Sequence, residues 1–208
     1  MDKYKFTGKN WSEHFFNSWK IFFSNGGKHD YKYTDKIKNV LEVGCYEGCT
    51  SMWLCDNVLK SGTTFDMIDT FGGSVEPGMN DTQKRLLDSN FIEHNLRHNI
   101  SHHSDINFRI YKGYSQSILP KLYELGNKYD LIYVDASHQS DDTFVDGYYC
   151  HKMLNSDGLI IFDDYGWTFP KAKFKYEIPK FGIDFFFEMY SNDYIQANNK
   201  YQKFGQKK

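Results

Sequence analysis

Val40-Leu41-Glu42-Val43-Gly44-Cys45-Tyr46-Glu47-Gly48-Cys49-Thr50-Ser51 is the stretch that decides the fold of this chain. An apolar run leads directly into a turn that contains two glycines, and the turn leads into the start of a helix. Glycine has no Cβ atom and adopts backbone angles that other residues avoid, so the backbone of such a turn can approach a bound molecule closely. The pattern predicts a strand, a ligand-binding loop and a helix, in that order.

The acidic residues of this loop indicate the kind of cofactor that it holds. A dinucleotide loop has the pattern GxGxxG and seats a pyrophosphate at a helix N-terminus, whereas Gly44 and Gly48 have the spacing GxxxG. Glu42 and Glu47 would repel a pyrophosphate but attract a sulfonium and an α-amino group. The stretch resembles motif I of class I methyltransferases that depend on S-adenosylmethionine (SAM). Solvent-facing positions for both glutamates are the alternative.

Strand and helix patterns alternate through the rest of the chain. The predicted strands are 39–43, 64–69, 107–111, 130–135, 158–163, 193–197 and 201–205. The predicted helices are 49–60, 81–99, 115–125, 141–154 and 181–191. Short links between alternating elements predict a mostly parallel sheet with helices on both faces. Asn198-Asn199-Lys200 separates the last two strands, which we expect to form an antiparallel hairpin.

The length of the chain predicts a single domain. A chain of 208 residues can build one full-sized core but not two. We therefore expect one domain over residues 1–208, with residues 1–36 as an N-terminal helical extension. Apolar residues at helical spacing in 11–23 predict a helix that covers the sheet, and a substrate lid or a dimer surface is the alternative. Aromatic residues near both termini make a homodimer plausible.

Charge and hydropathy exclude several classes of function. The net charge of −2 and the lack of a basic stripe disfavour nucleic-acid binding, although an RNA methyltransferase stays open as an alternative. The four cysteines have no zinc-site spacing and are interpreted as packing residues of a reduced protein. Residues 1–10 are too polar for a signal peptide, and the chain has no apolar run of the roughly 18 residues that a membrane span needs. We expect a soluble, cytoplasmic protein.

Two later strand ends add candidate cofactor contacts. Asp69 ends the second strand about 20 positions after the glycine loop, where a carboxylate can accept hydrogen bonds from both ribose hydroxyls. Nicotinamide enzymes use the same arrangement, so a NAD-dependent oxidoreductase is a less favoured alternative. Gly113 and Ser115 follow the third strand and could contact the adenine edge, and Ser115 as a simple helix N-cap is the alternative.

Acidic residues end two further strands, which we expect to be neighbours in the sheet. Asp135 ends one strand, His138 follows three residues later, and Asp163 and Asp164 end the next strand. Three carboxylates at one rim repel one another unless protons or a cation intervene. Oxygen ligands suit Mg²⁺ first, with Mn²⁺ or Ca²⁺ as alternatives. The alternatives for these residues are strand-end polarity for the two adjacent aspartates and a structural role for the histidine.

Five motifs in order carry a family resemblance from about residue 38 onward. They are LEVGCYEGCTS, IDTFGG, YKGYSQSILPKL, YDLIYVDASHQSDD and LNSDGLIIFDDYGW. In this order they resemble the Mg²⁺-dependent small-molecule O-methyltransferases grouped with macrocin O-methyltransferase and cephalosporin-tailoring proteins. Ala136 departs from that family, which has a glycine at this position.

The resemblance implies a Rossmann-like class I methyltransferase with a mostly parallel seven-stranded sheet and a C-terminal antiparallel hairpin. It implies a metal at Asp135, Asp163 and Asp164, and catalytic roles for His138, Asp135 and Asp164. Together with the loop chemistry, it implies that SAM contacts Glu42, Gly44, Tyr46, Glu47, Gly48, Thr50, Ser51, Asp69, Thr70, Gly113, Ser115 and Asp135. The acceptor would be a hydroxyl of a sugar, a glycan or a similar polar small molecule. A non-catalytic subunit with the same fold is disfavoured, because it would have no reason to keep three mutually repelling carboxylates.

Overall fold

A seven-stranded sheet forms the centre of the structure, which is a computed structural model that describes residues 3–7, 13–24, 34–73, 89–167 and 177–208. The strands are β1 Asn39–Val43, β2 Thr64–Asp69, β3 Asn107–Lys112, β4 Tyr129–Val134, β5 Leu154–Phe162, β6 Tyr194–Asn198 and β7 Lys203–Lys207. The helices are α1 Glu13–Phe22, α2 Cys49–Asn57, α3 Ser89–Ile100, α4 Ser115–Glu124, α5 Ser140–Met153 and α6 Pro179–Met189, with a 3₁₀ turn at Thr34–Lys36.

The strand order is β3-β2-β1-β4-β5-β7-β6. The five strands from β3 to β5 pair in parallel, and β7 pairs antiparallel with both β5 and β6. This arrangement confirms the predicted parallel sheet with a terminal antiparallel hairpin. The order reverses between β1 and β4, and ligands of open α/β sheets bind beyond the strand ends at such a point.

Each face of the sheet has its own apolar core, because successive side chains of a strand point to opposite faces. Along β4, Leu131 and Tyr133 join the core under α1, α2 and α3, while Ile132 and Val134 join the core under α4, α5 and α6. Strands buried on both faces read as continuous apolar runs, as β4 does. Within the described residues, no helix combines the length and the hydropathy that crossing a membrane requires.

The helix α1 packs into the first core through its aromatic residues. Phe15 and Trp19 are almost fully buried, and Trp19 lies 5.4 Å between ring centroids from both Trp53 and Tyr133. The indole nitrogen of Trp19 donates a hydrogen bond of 2.7 Å to the side chain of Gln202. The described part of the predicted helix 11–23 therefore covers one face of the sheet. The alternative role of this helix, as a substrate lid or a dimer surface, stays a prediction.

Element bounds differ from the predicted ones where local side chains intervene. β5 begins at Leu154, directly after α5, rather than at the predicted residue 158. The hairpin turn extends through Gln202, since the amides of Tyr201 and Gln202 both donate to the side chain of Asn199. β7 therefore begins at Lys203, two residues after its predicted start. Residues 81–88 of the predicted helix 81–99 lie outside the described residues.

A buried acid in α5 makes stability depend on pH. Asp146 is fully buried, and among the described residues neither of its carboxylate oxygens has a well-aligned hydrogen-bond partner. Loss of hydration raises the pKa of Asp146 to about 7, and the nearby Ser115 hydroxyl opposes this only in part. An unfolded Asp ionises near pH 4, so the folded state holds the proton more tightly. The stability due to this proton is complete below about pH 4 and is lost as the pH rises through about 7.

We expect Asp146→Asn to raise the free energy of unfolding at pH 8 by about 1–3 kcal/mol, because each unit of pKa difference is worth about 1.4 kcal/mol. At pH 4 the variant and the parent protein should be nearly equal. Urea unfolding at the two pH values measures this difference. Asp141→Asn, on the exposed side of the same helix, is the control and should give no gain at pH 8. An unchanged pH dependence in Asp146→Asn would contradict the assignment.

Candidate active site

The glycine loop after β1 lies directly against the end of β4. Gly44 has a φ of +88°, and a Cβ atom built on it would lie 1.9 Å from the carbonyl oxygen of Asp135. The Gly44 amide donates to Ile68 of β2 at 2.8 Å, and the Asp135 amide donates to Val43 of β1 at 2.8 Å. Only glycine fits this contact. The loop therefore brings the ends of β1, β2 and β4 together at the point where the strand order reverses.

Asp69 at the end of β2 holds the loop from one side. Its carboxylate accepts hydrogen bonds from the amide of Tyr46 at 2.7 Å and from the amide of Phe71 at 2.6 Å. Loss of hydration raises the pKa of Asp69, while these amide hydrogen bonds lower it. Tyr46 and Phe71 both have positive φ angles, of 48° and 54°, which are unfavourable for residues other than glycine. Asp69 thus lies in the predicted place and also stabilises two strained loop residues.

Glu42 lies beneath the loop. It is 1% exposed, and its carboxylate accepts a hydrogen bond from the Ser51 hydroxyl. Loss of hydration raises the pKa of Glu42 to about 8, Ser51 lowers it and Asp69 raises it further. Burial therefore favours the protonated form of Glu42, and the Ser51 hydroxyl is bound within the protein. The cofactor contacts predicted for Glu42 and Ser51 stay predictions.

The Glu47 side chain is held by other parts of the protein. It is 2% exposed. Its carboxylate accepts hydrogen bonds from the amide of Thr7 at 2.8 Å, from the Thr7 hydroxyl and from the side-chain amide of Asn95 at 2.8 Å. These bonds show how the protein uses the carboxylate, and the prediction that Glu47 contacts the cofactor stays a prediction. The spacing of the motif placed Glu47 in the loop but could not show which way its side chain turns.

The remaining predicted cofactor contacts surround the same rim. The amide of Gly113 donates to the Asp69 carbonyl at 2.9 Å, so the third strand end joins the first two. Thr70 follows Asp69 and accepts a hydrogen bond from the Gly72 amide at 3.1 Å. Thr50 and Ser115 are buried at the starts of α2 and α4. Ser115 is the first residue of α4 rather than its N-cap, which is Tyr114.

The acidic rim predicted for β4 and β5 is present. The Asp163 amide donates to the Val134 carbonyl at 3.0 Å, which aligns the two strand ends. Loss of hydration raises the pKa of Asp135, and the neighbouring charges of Asp163 and Asp164 raise it further. The pKa of Asp163 is also raised by loss of hydration and by Asp164, while hydrogen bonds from Tyr133 and from the Asp164 amide lower it. These carboxyl groups share one poorly hydrated region and favour holding protons or a positive charge.

His138 and Asp164 form a close pair across the rim. The His138 Nε2 atom lies 2.8 Å from a carboxylate oxygen of Asp164, which has a φ of +55°. The Trp167 ring lies 4.4 Å from the imidazole ring between centroids. The pair borders a small open cleft whose lining residues are Val134, Asp135, Ala136, Ser137, His138, Thr143, Asp163, Asp164 and Pro179. A carboxylate at this distance orients the imidazole ring and can stabilise the positive charge that a general base gains when it accepts a proton.

The predicted Mg²⁺ site is not confirmed. Across the described residues, no three His, Cys, Asp or Glu side chains are arranged to hold a metal ion. Asp163 accepts a hydrogen bond from Tyr133, and Asp164 pairs with His138 instead of joining Asp135 in a shared set of ligands. Three neighbouring carboxylates, two of them poorly hydrated, still suit a hard divalent cation chemically. The carboxylate oxygens are suitable ligands for such an ion, but the side chains are not arranged around one.

Several residues of the site were not predicted from the sequence. Thr7, Asn95 and Asn99 hold the outer side of the glycine loop, Tyr133 donates to Asp163, and Asp146 lies by Ser115. A polar residue inside an otherwise apolar strand or helix face, such as Tyr133 in YDLIYV, is the signal that could have indicated these roles. Two stretches next to the site are only partly described. The structure covers residues 71–80 only through residue 73 and residues 165–176 only through residue 167.

Comparison with known proteins agrees with this arrangement. A family model described as a methyltransferase domain matches residues 41–165. Uncharacterized protein R132 of Acanthamoeba polyphaga mimivirus is 29% identical over 126 residues, which are 60% of this chain and 50% of that protein. The match thus spans about half the length of that curated relative.

Solved structures share the fold. The O-methyltransferase TomG of Streptomyces achromogenes, crystallised with SAM, superposes with a TM-score of 0.58 at 15% identity over 92% of this chain and 79% of that one. The O-methyltransferase NovP superposes with a TM-score of 0.61 at 12% identity over 92% and 78% of the two chains. At these identities the likeness shows the fold alone. The predicted Rossmann-like class I methyltransferase fold is confirmed, whereas the narrower likeness to macrocin O-methyltransferase is not.

We expect Gly44→Ala to destabilise the protein by at least about 2 kcal/mol more than Gly62→Ala. The clash of the added Cβ atom with the Asp135 carbonyl should cost more free energy than the strain of a positive φ alone. Gly62 is the matched control, since its φ is +85° and an added Cβ would meet nothing within 4 Å. Urea unfolding of both variants gives the difference directly. Equal destabilisation by the two substitutions would show that the contact with Asp135 does not constrain the loop.

Proposed function

This chain belongs to the family of methyltransferase domains, and on that premise we propose that it is a SAM-dependent O-methyltransferase. The proposed acceptor is a hydroxyl of a sugar, a glycan or a similar polar small molecule. One observation carries the proposal above the others. The glycine loop, packed on the carbonyl of Asp135, shares one sheet edge with the pair of His138 and Asp164. A cofactor loop and a candidate base therefore face the same rim.

The cofactor half of the proposal rests on Asp69 and the glycine loop. Asp69 lies where a carboxylate can accept hydrogen bonds from both ribose hydroxyls, and it retains acceptor capacity because a carboxylate offers about four lone-pair sites. The acids around the rim also favour a cationic ligand. Loss of hydration raises the pKa of Asp135, and nearby carboxylates raise it further by repelling its charge. A sulfonium or an α-amino group would relieve that repulsion.

Methyl transfer from a sulfonium is an in-line displacement, so the protein acts mostly by positioning its reactants. The acceptor oxygen must lie behind the methyl carbon, and its proton must leave. His138 is the candidate proton acceptor because Asp164, 2.8 Å away, orients the imidazole and stabilises its positive charge. Trp167, beside His138, offers an apolar wall on which the C–H face of a sugar ring could pack.

A divalent cation is part of the proposal through the chemistry of the acidic rim. Asp135, Asp163 and Asp164 would hold it, and it would supply positive charge that lowers the pKa of an acceptor hydroxyl. The proton transfer to His138 does not require the cation.

The resemblance of five ordered motifs supports the choice of a polar hydroxyl acceptor. The macrocin-like group that they resemble acts on sugar hydroxyls or similar acceptors. The neighbour TomG is described as taking part in tomaymycin synthesis, which fits a small-molecule acceptor as well. An acceptor panel of deoxysugars and glycans is therefore the appropriate first screen.

We expect the protein to bind SAM and S-adenosylhomocysteine with micromolar dissociation constants and not to bind NAD, as measured by calorimetric titration. Asp69→Ala should raise the dissociation constant for SAM by about tenfold or more, since hydrogen bonds to a charged group are worth about 1.5–3 kcal/mol. Asp105→Ala, an exposed change before β3 at the opposite end of the sheet, is the control. Binding of NAD alone would refute the proposed function, and unchanged SAM affinity in Asp69→Ala would remove Asp69 from the site.

We expect His138→Gln and Asp164→Ala each to lower kcat by at least about 100-fold, since general bases contribute that much or more. The dissociation constant for SAM should stay within about threefold of the parent value, because both residues face the acceptor side. Transfer of radiolabelled methyl groups from SAM to the acceptor panel measures kcat. Gln139→Ala, an exposed neighbour, should leave kcat unchanged.

The same assay tests the cation. Loss of turnover on adding EDTA, with recovery on adding Mg²⁺, would support a metal held by the acidic rim. Turnover that is insensitive to EDTA would reject the metal and keep the base. Normal turnover in Asp164→Ala would reject both roles of that residue.

A further inference from the structure

The outer side of the glycine loop is held by a part of the chain to which no function has been assigned. Residues 3–7 run alongside the loop and the end of α3, and contact both through hydrogen bonds. We name this stretch the N-terminal segment. Its contacts fall on the loop between β1 and α2 at Glu47, next to the Tyr46 amide that Asp69 binds.

Glu47 is the centre of these contacts. The Thr7 amide and hydroxyl and the Asn95 side chain all donate to its buried carboxylate. A carboxylate that is 2% exposed needs such donors, because burying an unpaired charge is strongly unfavourable. Thr7 supplies two of the three, although it lies 40 residues away in sequence. The conformation of the loop and the position of Thr7 are therefore coupled through one side chain.

A second link joins the N-terminal segment to the backbone of the loop. Asn99 of α3 donates to the Glu47 carbonyl at 2.8 Å and to the Lys5 carbonyl at 2.9 Å, and its own side-chain oxygen accepts from the Lys5 amide at 2.7 Å. Asn99 is fully buried. One amide side chain thus ties Lys5 and Glu47 to α3.

The loop needs support on this side because its backbone is strained. Tyr46, next to Glu47, has a φ of +48°, a value that costs free energy for any residue with a Cβ atom. Asp69 stabilises this conformation by accepting from the Tyr46 amide at 2.7 Å. Glu47, the residue after Tyr46, is held by Thr7 and Asn95. The strained residue is therefore held between a contact on the ligand-facing rim and a contact to the N-terminal segment.

We propose that Glu47 is a positioning residue, through which the N-terminal segment holds the glycine loop in its cofactor-binding conformation. This inference rests on the proposed function for the identity of the ligand. Glu47 does not touch the cofactor in this scheme. Thr7, Lys5 and Asn99 act on cofactor affinity through the shape of the loop.

The test compares calorimetric dissociation constants for SAM in four variants. Glu47→Ala should weaken SAM binding by about tenfold and Thr7→Val by about threefold, in keeping with the loss of charged hydrogen bonds. Since Thr7 acts through Glu47, the double variant should be no weaker than Glu47→Ala alone. Lys3→Ala is the matched control. Lys3 lies in the same segment, and its substitution removes only an exposed ion pair with Asp56 of α2. The SAM affinity should therefore stay unchanged.

Glu47→Gln separates positioning from mere stability. Its amide oxygen can still accept one hydrogen bond, so its SAM affinity should fall between those of the parent protein and Glu47→Ala. At saturating SAM, kcat should stay near the parent value in all variants, because only the occupied fraction changes. A lower melting temperature with an unchanged dissociation constant in Glu47→Ala and Thr7→Val would overturn the proposal.

Hydrogen exchange provides a readout that does not depend on the cofactor. In Thr7→Val without SAM, the amides of residues 44–48 should exchange at least about threefold faster than in Lys3→Ala, because the loop opens more often. Unchanged exchange would overturn the proposal whatever the ligand is. Failure of the parent protein to bind SAM, together with faster loop exchange, would refute the proposed function and keep the coupling.

Discussion

The contact between the glycine loop and the end of β4 is the constraint on which the rest of the site depends. A Cβ atom at position 44 would lie only 1.9 Å from the Asp135 carbonyl oxygen, so only glycine lets the two strand ends meet. Main-chain hydrogen bonds from Gly44 to β2 and from Asp135 to β1 extend the same contact across three strands. Asp69, the glycine loop and the acidic rim are brought to one edge as a result.

The electrostatics of that edge follow from its poor hydration. Glu42 has a pKa of about 8, and the pKa values of Asp69, Asp135 and Asp163 are all raised, in each case with loss of hydration as the largest cause. Such a group of acids favours bound protons or a bound cation. In the proposed reaction the cationic cofactor meets this need, and the pair of His138 and Asp164 remains for proton transfer. The same repulsion makes a divalent cation chemically suitable, although the side chains are not arranged around one.

Most of the fold could be predicted because short-range patterns determine it. β1 and β2 have their predicted bounds, since both strands are mostly apolar, β1 is followed directly by the glycine turn and β2 ends at an acidic residue. The bounds of β5 and β7 could not be predicted, because they depend on the direct join to α5 and on the Asn199 side chain in the hairpin turn. Membership in the family of methyltransferase domains confirms the prediction of a methyltransferase over a nicotinamide oxidoreductase.

The sequence by itself determined the alternation of strands and helices, the glycine loop and the set of acids at the strand ends, because spacing along a strand and the chemistry of glycine are local properties. Only the tertiary structure decided which way the side chains turn. Glu47 and Ser51 lie in the predicted motif, yet Glu47 is bound by Thr7 and Asn95, which are 40 and 48 residues away, and Ser51 is bound to Glu42. Whether a loop carboxylate faces a ligand or the protein depends on donors brought near by folding, and no spacing within the motif encodes them.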